Sequence, residues 1–242
     1  IRTQTVEDDS KNQEIASTTL QWVERQYLGQ QFSGLHSFSF LGDDELSWRI
    51  GFAQSSRYEP DRRSYQYGRG LNTNQPLRLL GSVERRYSDL TENVYDLGVD
   101  YQSDIMLDDI LFRLKTGLMY NVKDREVDLA RYSNRAITDP AVDTSLTLEE
   151  ILTAENIADR YVVFLGSTTD TDDYEATDET LAYYVSAELD LGSVSVLAGG
   201  RLESFSQEIK YPNQDSSNSK LDESKFLPAL SAVWRMNDEA QV

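Results

Sequence analysis

Residues 46–52 alternate strictly, with Leu46, Trp48, Ile50 and Phe52 on one side of an extended chain and Ser47, Arg49 and Gly51 on the other. A two-residue period sends successive side chains to opposite faces of a strand, so this run predicts a strand with one apolar face. Residues 95–101 repeat it, with Tyr95, Leu97, Val99 and Tyr101 opposed to Asp96, Gly98 and Asp100. In 112–122 the set Phe112, Leu114, Thr116, Leu118, Tyr120 and Val122 opposes Arg113, Lys115, Gly117, Met119 and Asn121, and 181–189 sets Leu181, Tyr183, Val185, Ala187 and Leu189 against Tyr184, Ser186 and Glu188. Weaker alternations at 28–40, 194–202 and 226–234 bring the expected strands to seven, and an eighth begins at Ala240.

The connections alternate in length. LGDDE (41–45), SDIMLDDI (103–110), DLGS (190–193) and MNDEA (236–240) are short and rich in turn formers. The links between them run to about 35, 50 and 15 residues, whereas compact domains have a median near about 4 to 6. Transmembrane β-barrels combine short periplasmic turns with long extracellular loops. The expected fold is therefore all-β, an antiparallel meander of a transmembrane β-barrel with long extracellular loops. Trp48, Leu97, Leu114, Val185 and Val196 then face lipid, and Arg49, Asp100, Arg113 and Glu188 face inward.

Counting outward from each turn gives registers. With Leu189 opposite Val194, Tyr183 meets Gly200 and Tyr184 meets Gly199, so that a ring covers each glycine. The LGDDE turn sets Gly34 against Phe52 and Phe38 against Trp48, and Tyr101 opposite Phe112 makes Asp100 a neighbour of Arg113. One segment breaks the strand pattern. SLTLEEILTAENI (145–157) has Ser145 or Thr147 as caps, early glutamates and helical spacing, which predicts one short loop helix. NQDSSNSK (213–220) reads as a loop tip.

Composition narrows the function. No apolar run approaches the roughly 18 residues of a membrane-spanning helix. A net charge of −19 argues against a nucleic-acid partner, because phosphate binding depends on clustered cations. With no cysteine, a disulfide framework and a thiolate metal site are both excluded. The opening IRTQTVEDDSKNQE has neither the basic start nor the apolar core of a targeting segment.

The stretches LQWVERQYLGQQFSGLHSF, SWRIGFAQSSRYEPDRR, VSVLAGGRLES and FLPALSAVWRMNDE, in this order and spacing, resemble the TonB-dependent outer-membrane receptors. The resemblance runs from about residue 18 to the end. It implies that 1–242 is an internal part of a barrel of about 22 strands, with about 7 to 8 of those strands here and the plug domain absent. The implied function is uptake of a scarce nutrient such as a ferric siderophore across the bacterial outer membrane. The implied partners are outer-membrane lipid, a small-molecule or glycan cargo, and the TonB complex through an N-terminal region not seen here. A structural or adhesive barrel without transport, and a soluble carbohydrate-binding β-sandwich, are the alternative readings. Neither a catalytic set nor a cofactor is expected.

RYEPDRRSYQYGRG (57–70) concentrates Arg57, Arg62, Arg63 and Arg69 with Tyr65 and Tyr67 in an otherwise acidic chain. Guanidinium forks and tyrosine rings suit an anionic or aromatic ligand. Pairing with Glu59 and Asp61, or simple loop stability, is the rival explanation. His36, the single histidine, falls on the face of Phe32 and Phe38 and reads as a packing or interfacial residue. The acidic run TTDTDDYEATDE (168–179) lacks the glycine and spacing of a calcium loop and reads as a solvated surface segment.

Overall fold

The computed structural model describes residues 1–8, 12–71, 73–108, 110–136, 142–159, 161–213, 218–237 and 240–241. The expected turn at 236–240 and loop tip at 213–220 lie partly outside these residues. Eleven strands are described: β1 (Arg2–Asp8), β2 (Gln13–Leu20), β3 (Glu24–Phe38), β4 (Asp43–Gly70), β5 (Arg78–Leu107), β6 (Ile110–Ala136), β7 (Val162–Gly166), β8 (Tyr174–Asp190), β9 (Val194–Lys210), β10 (Ser219–Asn237) and β11 (Ala240–Gln241). They form one antiparallel sheet in the order β1-β2-β4-β5-β6-β8-β9-β10-β11, with β3 also on β4 and β7 also on β6. The sheet is open.

All the strands expected from alternation are present, and most are much longer than the pattern indicated. Strands β4, β5 and β6 have 28, 30 and 27 residues, where about 9 to 11 suffice to cross a bilayer. Their outer halves lack the outward apolar alternation, so no such period marks them in the sequence. The segment 57–70, expected as a loop, is strand for this reason. The first long link shrinks to residues 71–77. Strands β2 and β3 lie end to end along β4, interrupted at residues 21–23, opposite a bulge between Glu59 and Arg62.

The three expected registers are each displaced, for reasons visible in the turns. At the first hairpin the Asp44 carboxylate accepts from the backbone N–H groups of Phe40 and Leu41, closing the turn before Asp43. Gly34 therefore faces Trp48, not Phe52, and Phe38 faces Asp44. At the second, Asp108 takes a left-handed φ of 53° and most of SDIMLDDI stays in strand, so Asp104, not Asp100, faces Arg113. At the third, Gly192 at φ 81° and the Leu191 N–H bond to the Val194 carbonyl (2.8 Å) set Leu189 against Val196. Tyr183 and Tyr184 then oppose Leu202 and Arg201, not the glycines.

Rings nevertheless cover strand glycines. A Cβ at Gly34 would lie 2.5 Å from the Trp48 indole, and one at Gly117 would lie 2.5 Å from the Tyr184 ring. Tyr184 crosses Gly117 and donates to Asp100 at 2.8 Å, joining three strands.

The registers keep the expected faces together. One face carries rows such as Trp48, Val99, Leu118, Tyr183, Leu202 and Phe226, and Trp48, Leu97, Leu114, Val185 and Val196 all belong to it. The extracellular edge of this apolar set slants. Leu28 on β3 is in register with Lys220 on β10, yet the last outward apolar residue on β10 is Phe226, six residues nearer the short turns. Aromatic pairs sit near both edges, Phe52 with Tyr95 at 5.4 Å and Phe38 with Tyr101 at 6.3 Å. His36 is on this outward face and accepts from the Trp48 indole N–H at 3.1 Å.

The loop helix is two helices, α1 (Leu148–Ile151) and α2 (Ala154–Ala158). Thr153 ends the first run by capping the second, accepting from the Asn156 N–H at 3.2 Å. Ile151 anchors them in a small core with Leu79, Val83 and Val162. Ser145 donates to Asp143, and Thr147 donates to Glu150, which holds both carboxyls below their ordinary values. A depressed carboxylate contributes stability above its unfolded pKa and loses it as pH falls through the folded one. Hydrogen exchange at Ser145 and Thr147, corrected for intrinsic rates, should therefore be slow at neutral pH and accelerate below the ordinary carboxylate range.

Candidate functional site

The inward face of the membrane-level strands is an ionic ladder. Arg49 pairs with Asp96 at 2.9 Å, Arg113 with Asp104 at 2.8 Å and Glu188 at 3.4 Å, and Lys123 with Asp178 at 3.5 Å. Inward-facing Arg49, Asp100, Arg113 and Glu188 thus share one wall, as their alternation predicted. Farther out on this face, Lys123, Arg125, Tyr174, Gln207, Ile209 and Tyr211 line a cleft of about 290 Å³.

The six residues singled out in 57–70 do not form one cluster. Adjacent strand positions point to opposite faces, and most of the six have internal partners. Arg57 reaches the fully buried Glu59 at 3.2 Å, and Glu59 also accepts from the Gln21 amide. Arg63 binds Asp61 at 2.6 Å on the face opposite Arg62. Arg69 binds Glu14 at 2.6 Å across β2. Tyr65 and Tyr67 meet edge to face at 5.9 Å and pack on the small loop core, where Tyr67 donates to the Leu146 carbonyl at 2.8 Å.

Arg62 differs. The bulge after Glu59 puts it in register with Arg86 on β5, and Arg86 is in register with Arg131 on β6. No bulge interrupts β5 and β6 between this row and the ionic ladder, so all three arginines face inward, at the extracellular end. Opposed side chains lie roughly 4.5 to 5.5 Å apart at Cβ, and like charges so placed are destabilising. At about 5 Å the repulsion is roughly 1 kcal/mol in water and about 3 kcal/mol at an effective dielectric of 20.

A neighbouring arginine pair shows how the fold usually answers such repulsion. Arg63 and Arg85 are also opposed, and Asp61 sits between them at 2.6 and 2.9 Å. Burial alone would raise the Asp61 pKa, but the two arginine donors hold it below the ordinary carboxylate value. The inward row has no such bridge. Among the described residues neither Arg62 nor Arg86 has an ion pair, and only Arg131 does, to Asp172 at 2.6 Å. The Nε atoms of all three are buried with no hydrogen-bond partner among the described residues. Glu84 lies two positions from Arg86 on the same face, and among the described residues the two form no ion pair.

Arg86 and Arg131 were missed in the sequence because they sit in strand halves without the apolar outward alternation that marks the membrane-level strands. Only the register across three strands brings them to Arg62. The acidic run 168–179 is dispersed by its contacts. Asp172 goes to Arg131, Asp173 accepts from the Leu129 N–H at 2.7 Å, and Asp178 goes to Lys123.

The chain matches the family described as TonB dependent receptor-like, beta-barrel, over residues 4–242. No curated protein matches it. Among solved structures it is similar to the ferric citrate transporter FecA in the unliganded form (15% identity, TM-score 0.46, covering 93% of this chain and 34% of that one). It is also similar to the siderophore receptor PiuA from Acinetobacter baumannii (7% identity, TM-score 0.42, 96% and 44%). A third similar structure is the ferric-catecholate import receptor Fiu from K12 E. coli (11% identity, TM-score 0.35, 98% and 44%). The chain spans between about a third and under half of these receptors. With the family matched over nearly its whole length and an antiparallel sheet of the required sidedness, the chain belongs to the TonB-dependent receptors and is part of their outer-membrane β-barrel.

Proposed function

We propose that this stretch of barrel wall serves TonB-dependent uptake of a scarce anionic nutrient such as a ferric siderophore, with residues 1–242 an internal part of the barrel. The observation that carries the reading is the inward arginine row at the extracellular end of a chain whose net charge is −19. An acidic surface repels an anion, and a local positive row inside the mouth offsets that and raises its local concentration. Lipid holds the apolar outer face, cargo meets the inner one, and the TonB complex acts through a region outside this chain.

Of the residues marked in the sequence, Arg62 is the one this reading assigns to cargo; Arg57, Arg63, Arg69, Tyr65 and Tyr67 support the strands that carry it. Single variants in the full-length receptor separate these roles. Arg62→Ala should lower cargo affinity by about tenfold, the size of one lost charge-assisted hydrogen bond. Arg63→Ala, on the other face, should leave it within about twofold. The measurement is ligand binding and TonB-dependent uptake by cells with matched receptor levels. Equal effects of the two variants would remove the inward row from the cargo path.

A further inference from the structure

We propose that residues 142–158 form a releasable brace. Docked, it holds the extracellular tip of the β4–β5 hairpin from outside the barrel; released, it lets that tip pivot at Gly81, and Asn134 sets the balance between the two states. The inference is independent of the transport reading.

The brace lies on the lipid side of the sheet but far above lipid. The pairing of β5 with β6 runs unbroken from Ser82 to Leu107, so Val83 and Asn134 share the outward face with Val99 and Leu118. Val83 is on the order of 40 Å along β5 beyond Tyr95, where the apolar edge ends. There Ile151 of α1 closes a core over Leu79, Val83 and Val162, with Tyr65 and Tyr67 packed against it.

The tip is hinged where the brace grips it. Gly81 takes a φ of 66°, β5 pairs with β6 only from Ser82 onward, and its pairing with β4 shifts between Ser64 and Gln66. Residues 78–80 are therefore joined to the β6 side, among the described residues, through the brace. The Leu79 N–H donates to the Thr144 carbonyl and the Tyr67 hydroxyl to the Leu146 carbonyl, both at 2.8 Å, and Arg78 pairs with Asp143 at 3.5 Å. Beyond the helices, β7 anchors the chain to β6 from Tyr132 to Ala136.

Docking is opposed in two ways. Helices of 4 and 5 residues are far short of the roughly 12 to 15 at which an isolated helix is even marginal, so α1 and α2 persist only while docked and release melts them as one unit. Docking also buries Asn134, which is 2% exposed and whose Oδ1 has no partner among the described residues. The residues opposed to it, Val83 and Phe164, bring no side-chain donor. An unpaired buried carbonyl is costly, and release returns it to water. Asn134 thus weakens the docked state selectively.

The test uses the full-length receptor in lipid vesicles, with hydrogen exchange read at 147–158 and at Leu79. Asn134→Leu, or the smaller β-branched Asn134→Val, should slow exchange at both places about tenfold, since the unpaired carbonyl is gone. Ile151→Ala should speed exchange at both by about tenfold or more and leave residues 94–102 of β5 unchanged. Spin labels at Thr73→Cys on the tip and Glu126→Cys on β6 report the pivot: their distance distribution should broaden in Ile151→Ala and narrow in Asn134→Leu. Unchanged or faster exchange in both Asn134 variants overturns the role of Asn134. Faster exchange in 147–158 of Ile151→Ala with Leu79 and the label distances unchanged overturns the brace, and an equal rise in 94–102 overturns its independence from the barrel.

Discussion

Arginine in place of Leu118 is expected to destabilise the folded receptor by about 2 to 4 kcal/mol, the cost of a cation on the lipid face near the bilayer midplane. Leu118 lies two residues from the centre of the outward stretch that runs from Ile110 to Val122 on β6, flanked by Val99 and Tyr183. Asn121→Arg is the matched control. Asn121 faces inward beside Asp96, and a new cation there gains a carboxylate neighbour, so its effect should stay within about 1 kcal/mol. The measurement is denaturant unfolding of the full-length receptor in lipid vesicles. Comparable losses at the two positions would mean that the faces have been assigned the wrong way round.

The second large effect is expected at Gly117, where alanine should cost about 1.5 to 3 kcal/mol. The added methyl would sit 2.5 Å from the Tyr184 ring and also meet the Asp100 carboxylate. The ring must swing away, and the bond from its hydroxyl to Asp100 (2.8 Å) is lost, which for a charged acceptor is worth roughly that amount. Tyr184→Phe removes the same bond without crowding. If the bond is the shared cause, Gly117→Ala combined with Tyr184→Phe should cost little more than the larger single change. Full additivity would mean that the glycine matters through backbone crowding alone.

The sequence displayed the membrane-level part of this fold and concealed the rest for one physical reason. Where one face meets lipid and the other water, as from Trp48 to Phe52 or Leu114 to Val122, alternation is forced and legible. Beyond Phe52 and Tyr95 no lipid enforces an apolar outward face, so Arg62, Arg86 and Arg131 sit in strand halves that lack the outward apolar period. Register was legible only to within the turn. Asp44 capping Phe40 and Leu41, and the left-handed Asp108, moved pairings by a few residues, enough to replace Asp100 with Asp104 as the partner of Arg113. The arginine-rich segment stands out in the sequence, but its meaning depends on parity. Neighbours in sequence such as Arg62 and Arg63 serve opposite faces, and the true companions of Arg62 are on other strands.

The slant of the apolar edge fixes how the strands stand in the membrane. Six residues of displacement over the six strand steps from β3 to β10 is one residue per strand. At about 3.3 Å per residue and about 4.8 Å between strands, that is an inclination of roughly 35° from the membrane normal, inside the range of about 35 to 45° for such barrels. Carried around a ring of about 22 strands, the same slope returns the sheet to its first strand about 22 residues out of step. Closure therefore demands a fixed helical offset, and inserting or deleting one residue in any membrane-level strand would have to be absorbed by a bulge or propagated around the whole circumference.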